Sequence, residues 1–191
     1  MSKKTLYLLR HAKASWKQSE LVDRQRPLSK RGHRNAADMA NRIAATEKHL
    51  DAVISSPAKR ALHTAQYFAN ELDFPSFDIQ IDERLYFCGL KGWLQCMKAI
   101  SDDNHRVLLA GHNPEVSQAI SWLTGKECEA VSSCTITKLK LKLEHWSELK
   151  EGCAELAVMH APKDSIALVS SLDDTPDESD SSNILHFEPR A

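Results

Sequence analysis

The chain has 191 residues, of which 42% are hydrophobic and 27% are charged, and its formal net charge at pH 7 is -1. This length and composition fit one globular domain with a substantial apolar core. The near-neutral charge gives no reason to expect nucleic acid as a partner. No apolar run approaches the roughly 20 residues that span a bilayer, so no membrane association is predicted either.

The cysteines and the N-terminal segment bear on the cellular compartment. The five cysteines are odd in number and include no CxxC pair, a pattern typical of reduced thiols rather than of disulfides or a zinc site. The short apolar run near the start is interrupted by Arg10 and His11, which a signal peptide would not tolerate. The sequence therefore predicts a cytoplasmic, metal-independent protein.

Short apolar strands alternate with longer segments of helical period, and this alternation predicts an α/β fold. In chain order, the predicted strands are 5–9, 52–55, 77–81 and 106–110, followed by two closing strands within 133–143 and 155–160. The predicted helices are 29–46 capped by Ser29, 56–72 opened by Ser56 and Pro57, 93–100, and one opened by Pro114. We expect a single three-layer α/β/α domain with a mostly parallel central sheet, spanning residues 1–169.

The C-terminal residues differ in composition from the rest of the chain. From residue 170 onward Ser, Asp and Pro dominate. Such a segment buries too little apolar surface to offset the entropy of ordering. We therefore predict that residues 170–191 form an acidic, disordered tail.

Three cationic elements lie at the ends of predicted strands. Arg10 and His11 follow the first strand, Arg60 lies in the first turn of the helix after the second strand, and His112 follows the strand at 106–110. Ligands of open α/β sheets bind beyond the carboxyl ends of the strands, so these side chains are expected to converge there. The positive N-terminal ends of two predicted helices point toward the same edge.

Two arginines and two histidines at one sheet edge describe a site for a phosphoryl group. An arginine fork matches a pair of phosphate oxygens, and an imidazole can attack phosphorus. Each element alone has a common structural explanation: Arg60 as a solvated helix residue, and Gly111 to Pro114 as a turn with Asn113 as the cap. It is the combination that favours a phosphoryl site.

These segments resemble the signatures of the histidine phosphatase superfamily. Leu8-Leu9-Arg10-His11-Ala12 is similar to its Arg-His-Gly motif, with Ala12 in place of Gly. Ser55-Ser56-Pro57, continuing through Arg60 to Thr64-Ala65, resembles its second motif, and Gly111-His112-Asn113-Pro114 resembles its third. The segments Arg10 to Trp16 and Arg26-Pro27-Leu28-Ser29-Lys30-Arg31-Gly32, together with the compact size, are most similar to the short, SixA-type branch.

The resemblance implies an enzyme whose His11 is transiently phosphorylated while Arg10, Arg60 and a protonated His112 grip the phosphoryl oxygens. Asn113 is a further candidate substrate-binding residue. No metal or organic cofactor is implied, because the protein supplies all the positive charge. The partner would be a phosphorylated protein carrying phosphohistidine, or a small phosphate ester.

The sequence leaves the general acid open. Phosphoglycerate-mutase-like members place a Glu in a Glu…Gly…Trp-Glu-Gly setting, whereas Gly92-Trp93 here lacks that pattern. The segment from Asp82 to Gly89 offers Glu83 or Asp82 as the acid. Glu83 either protonates the leaving oxygen or is a surface residue at a strand end. The resemblance to the SixA-type branch implies that no such acid is needed. The imidazole of phosphohistidine can be protonated on nitrogen before the P–N bond breaks.

The leading hypothesis is a phosphohistidine phosphatase acting through phospho-His11. A small-molecule phosphomonoesterase or phosphoglycerate-mutase-like enzyme is the first alternative, and it would need a working acid at Glu83. A non-catalytic phosphate-binding module is the second alternative. The presence of Arg10, His11, Arg60 and His112 together speaks against that module.

Overall fold

The structure is a computed structural model that describes residues 4–17 and 20–162. The predicted tail at 170–191 and the predicted domain boundary at residue 169 lie outside the described residues. The strands are β1 (Thr5–Arg10), β2 (Ala52–Ser55), β3 (Gln80–Ile81), β4 (Arg106–Gly111), β5 (Ile136–Leu141) and β6 (Ala154–His160). The α-helices are α1 (Lys30–Ala44), α2 (Lys59–Glu71), α3 (Gly89–Lys98) and α4 (Glu115–Thr124).

The strands form one sheet in the order β3-β2-β4-β1-β5-β6. The first four strands in this order pair in parallel, whereas β5 runs antiparallel to both β1 and β6. Arg10 at the end of β1 is in register with Gly111 at the end of β4. The segments that follow both strands therefore leave the sheet side by side.

Helices cover both faces of the sheet. Leu6 and Leu8 of β1 join a core cluster with residues of α3 and α4, including Trp93. Tyr7 and Leu9 point to the opposite face and join a second cluster with α1 and α2. This alternation is the strand period of two, and it confirms the predicted three-layer α/β/α domain with a mostly parallel sheet.

Helix α1 forms where the sequence predicts it. The Ser29 hydroxyl accepts a hydrogen bond from the Gly32 N–H at 3.0 Å, which caps the helix. The buried stripe of this helix, Ala36, Met39, Ala40 and Ile43, recurs at helical spacing and packs on the sheet.

Helix α2 begins later than predicted. Its first residue is Lys59, and Ala58 occupies the N-cap without a side-chain hydrogen bond. Ser56 lies two residues before this N-cap, and its N–H still donates to the Ala110 carbonyl oxygen of β4 at 2.9 Å. The prediction that Ser56 and Pro57 open this helix was therefore wrong: both belong to the strand exit.

Two other boundaries differ from the prediction. The strand predicted at 77–81 is reduced to Gln80–Ile81, because Ser76–Asp78 form a 3₁₀ turn with Phe77 86% exposed. Helix α3 begins earlier than residue 93, at Gly89, where a positive φ of 66° suits glycine. Within the described residues, no helix combines the length and apolar character needed to cross a membrane.

The start of α1 holds the loop that follows β1. The Ser29 N–H and hydroxyl both donate to the Lys13 carbonyl oxygen, at 2.9 and 3.0 Å. A Cβ added to Gly32 would lie 2.1 Å from that same oxygen. Because the obstructing atom belongs to the backbone, no side-chain movement could relieve the contact. Because Gly32 has no side chain, the start of α1 can pack directly against the loop that follows His11.

The close approach at Gly32 gives a prediction for folding. Gly32→Ala is expected to lower the free energy of unfolding by about 1–3 kcal/mol, because the added methyl group overpacks a backbone contact. Urea unfolding measures this change. Arg34→Ala, on an exposed position of the same helix, is the control and is expected to change it by less than about 0.5 kcal/mol. Wild-type stability of Gly32→Ala would contradict the close approach.

Candidate active site

The structure brings Arg10, His11, Arg60 and His112 together at the carboxyl ends of β1, β2 and β4. The His11 N–H donates to the Gly111 carbonyl oxygen at 3.0 Å, and the rings of His11 and His112 lie 5.0 Å apart between centroids. Arg60 lies between them: its Nε is 3.3 Å from His11 Nε2 and its Nη2 is 3.4 Å from His112 Nδ1. Two imidazoles and a guanidinium thus face one small volume.

The His11 ring is fixed in one orientation. Its Nδ1 lies 2.7 Å from the Ala12 carbonyl oxygen, and because a carbonyl only accepts, Nδ1 carries the proton. The Nε2 lone pair then points toward Arg60. Thr64 supports this arrangement, since its hydroxyl accepts from the Ala12 N–H at 3.0 Å and donates to the Arg60 carbonyl oxygen at 2.6 Å.

The environment keeps His11 neutral. Burial lowers its pKa to about 4, and the positive charges of Arg60, Arg10 and Arg26 act in the same direction against the backbone hydrogen bond. Near pH 7 the Nε2 lone pair is therefore unprotonated, and it accepts from the Arg60 Nε–H at 3.3 Å. A neutral, oriented imidazole beside fixed cations has the protonation state required of a nucleophile.

His112 is more deeply buried, with only 2% of its surface exposed. Its Nε2 contacts the Ser56 hydroxyl at 2.8 Å, and the ring of Phe87 stacks on it at 4.9 Å. Burial, followed by the charges of His11 and Arg60, lowers its pKa to about 3. This shift favours the neutral imidazole near pH 7, and protonation of His112 beside a phosphoryl group stays a prediction.

Arg10 and Asn113 donate to the same backbone oxygen. Arg10 Nη1 donates to the Val131 carbonyl oxygen at 2.5 Å, and Asn113 Nδ2 donates to the same oxygen at 3.1 Å. Burial lowers the pKa of Arg10. Arg10 Nε and Asn113 Oδ1 are buried polar atoms without a hydrogen-bond partner among the described residues. Such atoms are rare in folded proteins and are candidates for contact with a ligand.

Asp23 is a site residue that the sequence did not identify. Its backbone oxygen and its Oδ2 accept from Arg60 Nη1 and Nη2, at 2.7 and 2.8 Å. Arg60 itself is only 3% exposed, so this carboxylate balances a nearly buried charge. The one available signal is that Asp23 is the single acidic residue between residues 21 and 34, in a stretch rich in Lys and Arg.

Glu83, the candidate general acid, begins the 3₁₀ turn Glu83–Leu85. Its Oε1 forms an ion pair with Arg24, and its side chain is 66% exposed. Among the hydrogen bonds of the described residues, none joins Glu83 to His11, Arg60 or His112. The structure therefore places it outside the cluster of core residues, and its role as an acid stays a prediction.

The positive charge of the site comes from side chains. Across residues 4–17 and 20–162, no group of three or more His, Cys, Asp or Glu side chains is arranged to hold a metal ion. The residues that meet here can bind a tetrahedral oxyanion and offer one nucleophilic nitrogen to its central atom.

Comparisons with known proteins agree with this chemistry. The family model described as histidine phosphatase superfamily (branch 1) matches residues 6–93. An uncharacterised protein of Mycobacterium tuberculosis is 29% identical over 164 residues, which cover 81% of this chain and 100% of that protein. The structure of the protein histidine phosphatase SixA complexed with tungstate has a TM-score of 0.71 at 21% identity, over 84% of this chain and 99% of that one.

A small-molecule phosphatase also shares the fold. The native structure of mycobacterial glucosyl-3-phosphoglycerate phosphatase has a TM-score of 0.58 at 12% identity, over 82% of this chain and 98% of that one. Residues 6–93 thus match the histidine phosphatase superfamily, and the described domain shares the fold of its solved members. This match and the shared fold support hydrolysis of a phosphoryl group as its activity.

The lowered pKa values give a prediction for titration. A lowered pKa means that the neutral form persists to lower pH, so His11 and His112 are expected to remain neutral at about pH 5. His145 is the control, because its hydrogen bond with Asp102 raises its pKa and keeps it protonated there. Histidine ¹⁵N chemical shifts measure all three. Protonation of His11 near pH 6.5 would contradict the effect of burial.

Proposed function

We propose that this chain is a phosphohistidine phosphatase, which removes a phosphoryl group from a histidine of a protein through a phospho-His11 intermediate. The observation that carries the proposal is the orientation of His11. Its Nδ1 is held by the Ala12 carbonyl oxygen, and its Nε2 points into the volume shared by Arg60 and His112.

In the first step, His11 Nε2 attacks phosphorus and forms a P–N bond as the P–N bond to the substrate imidazole breaks. The leaving nitrogen keeps the electron pair of that bond, and the substrate ring departs neutral if its other nitrogen already carries a proton. Arg10 and Arg60 stabilise the charge on the equatorial oxygens.

His112 changes its protonation in this scheme. Its Nδ1 faces Arg60 Nη2 at the edge of the proposed phosphoryl position. A dianion bound there raises the pKa of His112, because an opposite charge favours the imidazolium form. The protonated Nδ1 can then donate to a phosphoryl oxygen while Ser56 stays on Nε2.

In the second step, a water oxygen attacks phosphorus on phospho-His11. The bond to Nε2 breaks and its electron pair returns to the imidazole. Inorganic phosphate leaves as dihydrogen phosphate, which keeps both protons of the water. The hydrogen bond between His11 Nδ1 and Ala12 is compatible with both steps, because neither requires the Nδ1 proton to move.

The choice of phosphohistidine over an alkyl phosphate rests on the leaving group. An alkoxide needs an acid to protonate it, and the candidate acid, Glu83, is paired with Arg24 at the surface. An imidazole protonated in advance needs no such acid. The likeness to a protein histidine phosphatase supports this choice. Because the fold is also shared with a sugar-phosphate phosphatase, turnover of phosphohistidine has to be compared with turnover of alkyl phosphates.

The phosphoenzyme provides the first test. Brief incubation with labelled phosphohistidine protein, followed by an alkaline quench, is expected to leave an acid-labile phosphoryl group on His11, because phosphoramidates survive base and hydrolyse in acid. Peptide mapping by mass spectrometry locates it. His11→Ala is expected to carry no label. Wild-type labelling of His11→Ala would remove His11 as the nucleophile.

The substrate class provides the second test. We expect kcat/KM to be high for phosphohistidine and activated aryl phosphates, and low for sugar phosphates and phosphoserine, because only the first two have leaving groups that need no acid. Glu83→Gln is expected to leave phosphohistidine turnover within about twofold, as for other surface substitutions. Efficient hydrolysis of an alkyl phosphate that Glu83→Gln abolishes would favour the mutase-like alternative.

A further inference from the structure

Arg60 is bound by Asp23 along one edge and contacts two histidine rings along the other. On the far edge, its Nη1 and Nη2 donate to the backbone oxygen and the Oδ2 of Asp23, at 2.7 and 2.8 Å. On the near edge, its Nε and Nη2 face His11 Nε2 at 3.3 Å and His112 Nδ1 at 3.4 Å. Nη2 carries two hydrogens, so it can serve both edges at once.

Asp23 is itself held by two side chains from different parts of the chain. Arg26 Nη1 donates to its Oδ1 at 3.0 Å, and the Tyr86 hydroxyl donates to its Oδ2 at 2.9 Å. Burial alone would raise the pKa of Asp23, but the hydrogen bonds from Arg60, Tyr86 and Arg26 lower it to about 2. The carboxylate is therefore a fixed anion near neutral pH and has no proton to donate.

We propose that Asp23 is a positioning residue for the phosphoryl site. It binds the far edge of Arg60 and thereby presents the Nε–Nη2 edge to a phosphoryl group lying between His11 and His112. This inference rests on the proposed function, because it assigns Asp23 a part in the same reaction.

The physical reason is preorganisation. A free arginine side chain has many rotamers, and ordering it during binding costs entropy. Asp23 removes that cost in advance, so the donors of Arg60 are already in place when charge develops on the phosphoryl oxygens. The opposing effect is repulsion between the carboxylate and a bound dianion. The geometry favours positioning, because Asp23 binds the Nη1–Nη2 edge of the guanidinium, whereas the imidazoles lie along the Nε–Nη2 edge.

Positioning of Arg60 and repulsion of the dianion predict opposite changes in kcat/KM for Asp23→Asn. Asp23→Asn keeps the shape of the side chain but removes its charge, and we expect it to lower kcat/KM for an aryl phosphate about 10- to 100-fold, as for other groups that orient a ligand-binding side chain. The loss is expected mainly in kcat, since Arg60 acts most strongly in the transition state. Tyr86→Phe removes one support of Asp23 and is expected to cost about 2- to 10-fold.

The matched control is Asp38→Asn. Asp38 forms an ion pair with Arg42 at 2.5 Å on α1, and its side chain is 54% exposed. This substitution also removes one carboxylate from an Asp–Arg pair, but away from the site. It is expected to leave kcat/KM within about twofold of the wild type.

A double-mutant cycle separates positioning from a purely structural role. Arg60→Ala alone is expected to lower turnover about 100- to 1000-fold, as for loss of one preorganised donor. If Asp23 acts through Arg60, adding Asp23→Asn to Arg60→Ala has no further effect beyond about twofold. Tungstate binding, measured by calorimetry, gives a second readout that needs no turnover, and Asp23→Asn is expected to weaken it.

The outcomes distinguish the two proposals. Wild-type or higher kcat/KM and tungstate affinity in Asp23→Asn would overturn the positioning role, as would an equal loss in the Arg60→Ala background. If the wild type binds tungstate but hydrolyses no phosphate compound, the proposed function fails, while weaker binding by Asp23→Asn still supports positioning.

Thermal unfolding checks that each variant is folded. If Asp23→Asn does not fold, Tyr86→Phe carries the decision: an unchanged kcat/KM rejects the role.

Discussion

The parallel pairing of β1 with β4 is the constraint on which the site depends. Because Arg10 and Gly111 are in register, the chain leaves the sheet at the same level on both strands, and His11 and His112 emerge next to each other. The pairing of β2 with β4 brings the segment before α2 to the same edge, and Arg60 follows in the first turn of that helix. Residues about 50 positions apart thus meet without any special loop, because the sheet itself sets their spacing.

The electrostatics of the site follow from burial. Low solvent exposure lowers the pKa of both imidazoles, so His11, the proposed nucleophile, is unprotonated near neutral pH. A nearly buried guanidinium also needs a compensating anion, and Asp23 supplies it. The same burial that keeps His11 neutral therefore creates the need for the carboxylate beside Arg60.

Much of this arrangement could be predicted from the sequence, because the signals were local. Strand and helix periods fixed the α/β class, and the strand-end positions of Arg10, His11, Arg60 and His112 indicated where they meet. The start of α2 was mispredicted because the Ser-Pro pair resembles a helix opening. In the structure, Ser56 instead extends the sheet pairing and contacts His112.

Asp23 and Val131 could not be found in the same way. Asp23 lies in a short 3₁₀ turn without periodicity, and its contact with Arg60 exists only after the loop before α1 has folded over the sheet edge. Val131 acts through its backbone oxygen, so its side-chain identity carries no signal of that role. Contacts of this kind depend on tertiary structure, whereas periodicity reports only local structure.

The shared carbonyl of Val131 makes Arg10 and Asn113 mechanically interdependent. Both side chains bind one oxygen, and the Val131 N–H is in turn held by the Ser117 hydroxyl at 3.2 Å, which ties this loop to α4. A ligand that draws Arg10 away from Val131 leaves Asn113 as the remaining side-chain donor to that oxygen. The backbone of Val131 therefore connects the end of β1, through Arg10, to α4, through Ser117.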